Sequence, residues 1–185
     1  EIIETYDGPH VRIMEVCGTH THEIFRLGIR KLLPEQVELI SGPGCPVCVT
    51  PVSFIDESIY LALKKGVTVC TFGDLVRVPG TKMSLAGARE QGAKIRIVYS
   101  PADAEKHPEE QVTFLSVGFE TTTPAGCLSV KSAKEDGLSN YSILTANKTM
   151  PQAYEALKGS ADVFLYPGHV NAITGTHLCE ALAEE

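Results

Sequence analysis

Seven short runs of apolar, largely β-branched residues alternate with amphipathic stretches along the chain. The runs are VRIMEV (11–16), VELISG (37–42), TVCTFG (68–73), KIRIVYS (94–100), QVTFLSVGF (111–119), YSILTA (141–146) and VFLY (163–166). Between them, helical patterns cover 22–33, 51–66, 83–92, 124–136 and 151–158, and a last one covers 171–185. Strands separated by helix-length segments cannot be joined as hairpins and instead form parallel sheets with helical crossovers. The predicted fold class is therefore α/β, as two small Rossmann-like βα domains with parallel sheets. The helix over 51–66 has the clearest ends: Thr50 suits the N-cap, Pro51 the first helical position and Gly66 the C-terminal stop.

PADAEKHPEE (101–110) breaks the rhythm with two prolines and a cluster of charge, which places a domain boundary there. The first α/β domain then spans 1–107 and the second 108–185. The second would own only three strands and ends in a helix, so it reads as incomplete. The chain also lacks an initiator Met, and the native protein is expected to begin earlier.

Composition excludes several classes. Sixteen Lys and Arg against 23 Asp and Glu give a net charge of −7. That argues against nucleic acid or an anionic membrane surface as the main partner. No apolar run approaches the roughly 18 residues needed for a transmembrane helix, and the acidic start EIIETYDGPHVR is unlike a secretory signal. The six cysteines are clustered by motif rather than spread as pairs, which points to a cytoplasmic protein whose thiols have chemistry.

The unusual residues fall where strands end. CGTHTH (17–22), GPGCPVC (42–48), FGDLVRVPG (72–80), GFETTTPAG (118–126) and PGHV (167–170) each follow or overlap the end of an apolar run. Open parallel sheets bind ligands at the carboxyl ends of their strands. These loops should line one rim of each sheet, and a shared cleft would form if the two rims face each other. Cys45 and Cys48, two residues apart, could close a small disulfide or bind one metal ion, against the bland reading of a tight loop with incidental thiols. Cys17, His20 and His22 offer a thiolate-and-imidazole set that suits iron, zinc or copper, or are simply polar residues at a helix start. A zinc site from Cys17, Cys45, Cys48 and a His is a third option. Cys70, Cys127 and Cys179 read as core residues. His10 and His107 sit in loops and His177 on a helix face, leaving His169 as the better candidate. Glu120 either accepts backbone N–H groups or handles a ligand or proton. Asp74 and Arg77 form a local pair or face a partner. No GxxxxGK[ST] phosphate loop occurs.

In combination and in order, CGTHTHE, SGPGCPVCVTP, TFGDLVRVPG, GFETT and PGHV resemble the HypD family of hydrogenase-maturation proteins. The resemblance implies an assembly scaffold for the Fe(CN)2CO unit of nickel–iron hydrogenases, with redox-active thiols rather than free enzymatic turnover. It implies that Cys17 binds the iron unit with His20 nearby, that Cys45 and Cys48 form a redox dithiol, and that Glu120 and His169 line an interdomain cleft. It implies a HypC-like small chaperone and a HypE-like cyanide donor as partners. The family also carries a C-terminal [4Fe-4S] domain, whose ligands are absent from this chain. Two other classes compete. A thioredoxin-like dithiol oxidoreductase would need Cys45 and Cys48 but not Cys17, and a zinc-stabilised binding module would unfold on chelation.

Overall fold

A computed structural model describes residues 5–105 and 109–184. Seven parallel strands form two sheets. β1 (Val11–Glu15), β2 (Val37–Ser41) and β7 (Val163–Leu165) make a three-stranded sheet in the order β2-β1-β7. β3 (Thr68–Thr71), β4 (Ile95–Ile97), β5 (Val112–Ser116) and β6 (Tyr141–Thr145) make a four-stranded sheet in the order β4-β3-β5-β6. The helices are α1 (Gly18–Arg26), α2 (Val52–Lys64), α3 (Leu85–Glu90), α4 (Pro101–Ala104), α5 (Thr123–Glu135), α6 (Met150–Ala156), α7 (Gly168–Thr174) and α8 (His177–Glu184). The parallel α/β class predicted from the alternation is what the chain adopts.

The division into units differs from the expected one. Pro46–Lys148 form one unit, and the residues up to Cys45 together with those from Thr149 onward form the other. The expected boundary at 107/108 would cut through the four-stranded sheet, because β5 pairs in parallel with β3 (Thr68 opposite Val112). The last strand, β7, belongs beside β1 (Glu15 opposite Leu165), not beside β6. The strands of the second half therefore do not form a sheet of their own. The charged stretch misleads because its residues are used. Ser100 Oγ accepts the Ala102 N–H at the start of α4, which buries Pro101 and Ala104. Glu110 accepts the Thr68 hydroxyl at 2.8 Å and lies 3.0 Å from Arg96 and 3.6 Å from Lys94. His107 lies outside the described residues.

In the continuous unit, Phe54, Ile55 and Ile59 of α2, Leu85 of α3 and Leu75 of a 3-10 turn pack against one face of the sheet, where Val69 and Leu115 meet them. Cys70, Val98, Ala104, Val112 and Phe114 fill the other face, where the Phe72 and Phe114 rings meet edge to face at 5.4 Å. β3 and β5 are buried along their whole length, as expected of strands covered on both faces. In the discontinuous unit, Met14, Val16, Ile24, Met150 and Val170 are buried, and Tyr154 stacks near Phe164 and Tyr166 at 5.1 and 5.0 Å. Arg12 clamps Asp162 through its backbone N–H at 2.8 Å and two guanidinium contacts at 3.3 Å, tying β1 to the approach of β7.

Two expected helices are each broken by a glycine. The pattern over 22–33 becomes α1 and a separate 3-10 turn (Ile29–Leu32), divided at Gly28. The pattern over 171–185 becomes α7 and α8, divided at Gly175, whose φ of 78° lies where residues with a Cβ are strained.

Candidate functional site

In an open parallel sheet, a crevice forms where adjacent strands send their connections in opposite directions. Each sheet has such a point. In the three-stranded sheet, β1 is central, with β2 on one side and β7 on the other. The carboxyl ends of these three strands are in register at Glu15, Ser41 and Leu165. Cys17 follows the first, Cys45 the second and His169 the third, so three of the sequence candidates share this rim. In the four-stranded sheet the reversal lies between β3 and β5, whose ends lead into FGDLVRVPG and GFETTTPAG. Glu120 is in that unit, half-buried in the turn that precedes α5.

Cys17 stands at the N-cap of α1 with φ 132° and ψ 130°. Among the described residues no other non-glycine has a positive φ. Such backbone costs of order 1–3 kcal/mol and concentrates at functional sites. What holds it there is visible. The Gly18 N–H donates to the Gly44 carbonyl at 3.4 Å, and a Cβ on Gly44 would lie 2.6–2.9 Å from the Gly18 nitrogen and Cys17 backbone. The glycine in GPGC lets the two cysteine-bearing loops touch, which is why this position takes no side chain.

The two imidazoles of CGTHTH diverge. His22 is exposed, with Nδ1 3.2 Å from Glu23 Oε1. Glu23 is also paired with Arg26, which holds its carboxyl below the usual range. His20 is half-buried, three residues after Cys17 in the first turn of α1. Its Nδ1 is buried without a hydrogen-bond partner among the described residues. A buried ring nitrogen left unpaired is costly unless something outside the protein meets it.

Cys45 is half-buried and Cys48 exposed, in the turn that leads into α2. Thr50 does not cap α2; its hydroxyl donates to the Pro46 carbonyl at 2.9 Å and closes the turn, leaving Pro51 at the cap position. The CxxC motif spans the point where the chain passes from one unit to the other. His169 is exposed in the first turn of α7. Asp74 and Arg77 are both exposed around a 3-10 turn anchored by buried Leu75 and Val76. That loop is fastened by Asp56 of α2, which accepts the Thr81 N–H at 2.8 Å and its hydroxyl at 2.5 Å.

The remaining thiols divide. Cys70 is fully buried in β3, and burial pushes its pKa up to about 11. Cys127 is exposed, against the core reading, because α5 meets its sheet through the small residues Gly126, Ser129 and Ala133. Cys179 is half-buried, with its thiol 3.5 Å from Asn171 Oδ1. Among the described residues no three His, Cys, Asp or Glu side chains converge to hold a metal ion. Neither a four-donor zinc cage nor a four-cysteine cluster site is built by them.

Two organising residues escaped the sequence reading. Asn147, after β6, accepts the hydroxyls of Ser116 and Thr145, each at 2.7 Å, and donates to Thr123 at 2.8 Å, knitting the GFETT turn. Glu15 is wholly buried. Its signal was a carboxylate directly after the apolar pair Ile13-Met14 and before Val16, at the end of β1.

The fold and the rim together define a two-unit parallel α/β protein with a strained cysteine at the carboxyl rim of one sheet and, three residues after it in the chain, a histidine whose Nδ1 is unsatisfied among the described residues. The chain belongs to the HypD family: its family model, described as "Hydrogenase formation hypA family", matches residues 1–185. The chain is 46% identical over 183 residues to a hydrogenase maturation factor HypD of Rhodobacter capsulatus, covering 95% of this chain and 48% of that protein. It is 44% identical over 183 residues to the Escherichia coli K12 factor of the same name, covering 95% and 49%. To that of Cupriavidus necator it is 43% identical over 197 residues, covering 98% and 52%. The chain spans about half the length of these curated relatives.

Proposed function

We propose that this chain is the iron-handling portion of a hydrogenase maturation factor. In this reading a low-spin Fe(CN)2CO unit is the cargo, bound by the Cys17 thiolate with His20 beside it. The observation that carries the reading is a backbone-strained Cys17 followed, in the first turn of the same helix, by a buried His20 Nδ1 with no hydrogen-bond partner among the described residues. Cyanide and CO already occupy three positions on such an iron, so two protein donors suffice, whereas a bare zinc ion would want four. Soft thiolate and imidazole also suit iron in this form. Cys45, whose loop touches that of Cys17, would form with Cys48 a reduced dithiol that holds two electrons and releases them, with two protons, on closing to a reversible disulfide. His169, on the same rim, is proposed as a ligand contact, and Glu120 as a ligand contact within its own unit.

The chain would act as a scaffold with a HypC-like chaperone and a HypE-like cyanide donor in the cytoplasm. Among the described residues no helix is long and apolar enough to cross a membrane. The test is infrared spectroscopy of the anaerobically isolated complex with the chaperone. Cyanide and CO bands should be present with the native chain and absent with Cys17→Ala. Bands that survive in Cys17→Ala would refute cysteine ligation.

A further inference from the structure

Glu15 is a carboxylate with no exposed surface, and it sits at the meeting point of the two loops that bear Cys17 and Cys45. Its Oε2 accepts the Thr21 hydroxyl at 2.8 Å, from the first turns of α1. Its Oε1 accepts the Ser41 hydroxyl at 2.7 Å, at the last residue of β2. Its backbone carbonyl accepts the Gly42 N–H at 2.8 Å. Arg30 closes the circuit: its guanidinium lies 3.9 Å from Oε1 and donates to Ser41 Oγ at 3.2 Å and to the Leu39 carbonyl. A buried carboxylate is expensive unless its oxygens are satisfied by good geometry. Here each oxygen has one hydroxyl, and each hydroxyl comes from a different cysteine-bearing segment. A leucine would fill this space without the desolvation cost, so packing alone does not account for a glutamate here.

We propose that Glu15 is a positioning residue for the iron site, fixing Cys17 and His20 relative to the Cys45 loop through Thr21 and Ser41. The proposal rests on the reading of Cys17 as an iron ligand. Thr21 follows Cys17 by one helical turn, and its N–H donates to the Cys17 carbonyl at 3.2 Å. The pull of Glu15 on the Thr21 hydroxyl thus reaches the strained backbone directly. Partners behind a metal ligand typically change metal affinity about 10–100-fold when removed.

The experiment compares Glu15→Gln, Thr21→Val and Thr21→Ser in the full chain. The readouts are iodoacetamide labelling of Cys17 at fixed pH, retention of the cyanide and CO bands, and the urea midpoint. Exposed Cys127 serves as the internal control for labelling. In Glu15→Gln and Thr21→Val the Cys17 rate should shift about tenfold and band intensity fall about tenfold or more, with Cys127 unchanged. Thr21→Ser restores the hydroxyl and should restore both. Native Cys17 labelling and full bands in folded Thr21→Val would overturn the proposal, as would failure of Thr21→Ser to rescue. Should Glu15→Gln fail to fold, the two Thr21 variants decide alone, since Thr21 is exposed. If Cys17→Ala keeps the bands, the iron reading has failed, and the labelling rates still judge the positioning role separately.

Discussion

At Cys17 two energies oppose each other and their sizes can be compared. Its positive φ costs about 1–3 kcal/mol, whereas placing glycine in a fixed conformation costs about 0.5–1 kcal/mol more chain entropy than alanine. The strain wins. Cys17→Gly should therefore be more stable than Cys17→Ala by about 1 kcal/mol, read as a higher urea midpoint with unchanged slope. Equal midpoints would mean the backbone relaxes once the sulfur is gone. The cysteine motifs were legible because CxxC and CGTHTH are rare spacings with few chemical uses. The strain was not, since no residue type announces a positive φ except glycine. His20 and His22 look alike in the sequence; only the helix start at Gly18 separates a half-buried ring from one paired with Glu23 on the surface.

Among the elements, the strands were readable and their neighbours were not. β3 and β5, buried on both faces, are written as continuous apolar runs, and that pattern needs no knowledge of partners. Which strand lies beside which is set by contacts far apart in the chain, such as Glu15 with Leu165. The helix α5 shows a second limit. Its buried stripe is Gly126, Ser129 and Ala133, so the larger Cys127 and Leu128 face outward, the reverse of a hydrophobicity ranking. Burial in the four-stranded sheet also has a pH signature. It raises the Cys70 thiol from 9.0 to about 11, Glu110 adding to the rise and Arg96 opposing it. Tyr141 is raised as well, chiefly by burial, with the Ser129 hydrogen bond opposing. Both groups hold their protons in the folded chain after the unfolded chain has lost them. Stability should be intact below pH 9 and decline as pH rises towards 11, with Cys70 contributing on the order of 2 kcal/mol. Urea titrations of the native chain and Cys70→Val across this range should converge or cross; parallel curves would remove the thiol as a cause.

On the scale of the whole molecule, the unit that carries Cys17 is assembled from both ends of the sequence. Arg12 and Asp162 hold that closure at the amino ends of β1 and β7. Hydrogen bonds from Arg12 keep the Asp162 carboxyl below its usual range, so the clamp is present above about pH 4 and fades as the carboxylate takes up a proton. Asp162→Asn should lower the melting temperature at pH 7 by a modest amount and by less at pH 2.5. An equal loss at both values would point to shape rather than charge. The discontinuity also sets an order of events during synthesis. Cys17 and Cys45 leave the ribosome early, but β1 gains its second neighbour only when Val163–Leu165 emerge, after all of Pro46–Lys148. At about 5–20 residues per second the two thiols spend on the order of ten seconds on an unfinished sheet. The rim that carries Cys17, Cys45 and His169 gains its third strand only after the whole of Pro46–Lys148 has emerged, so a nascent chain that meets an oxidant during that interval does so with both thiols on an unfinished sheet.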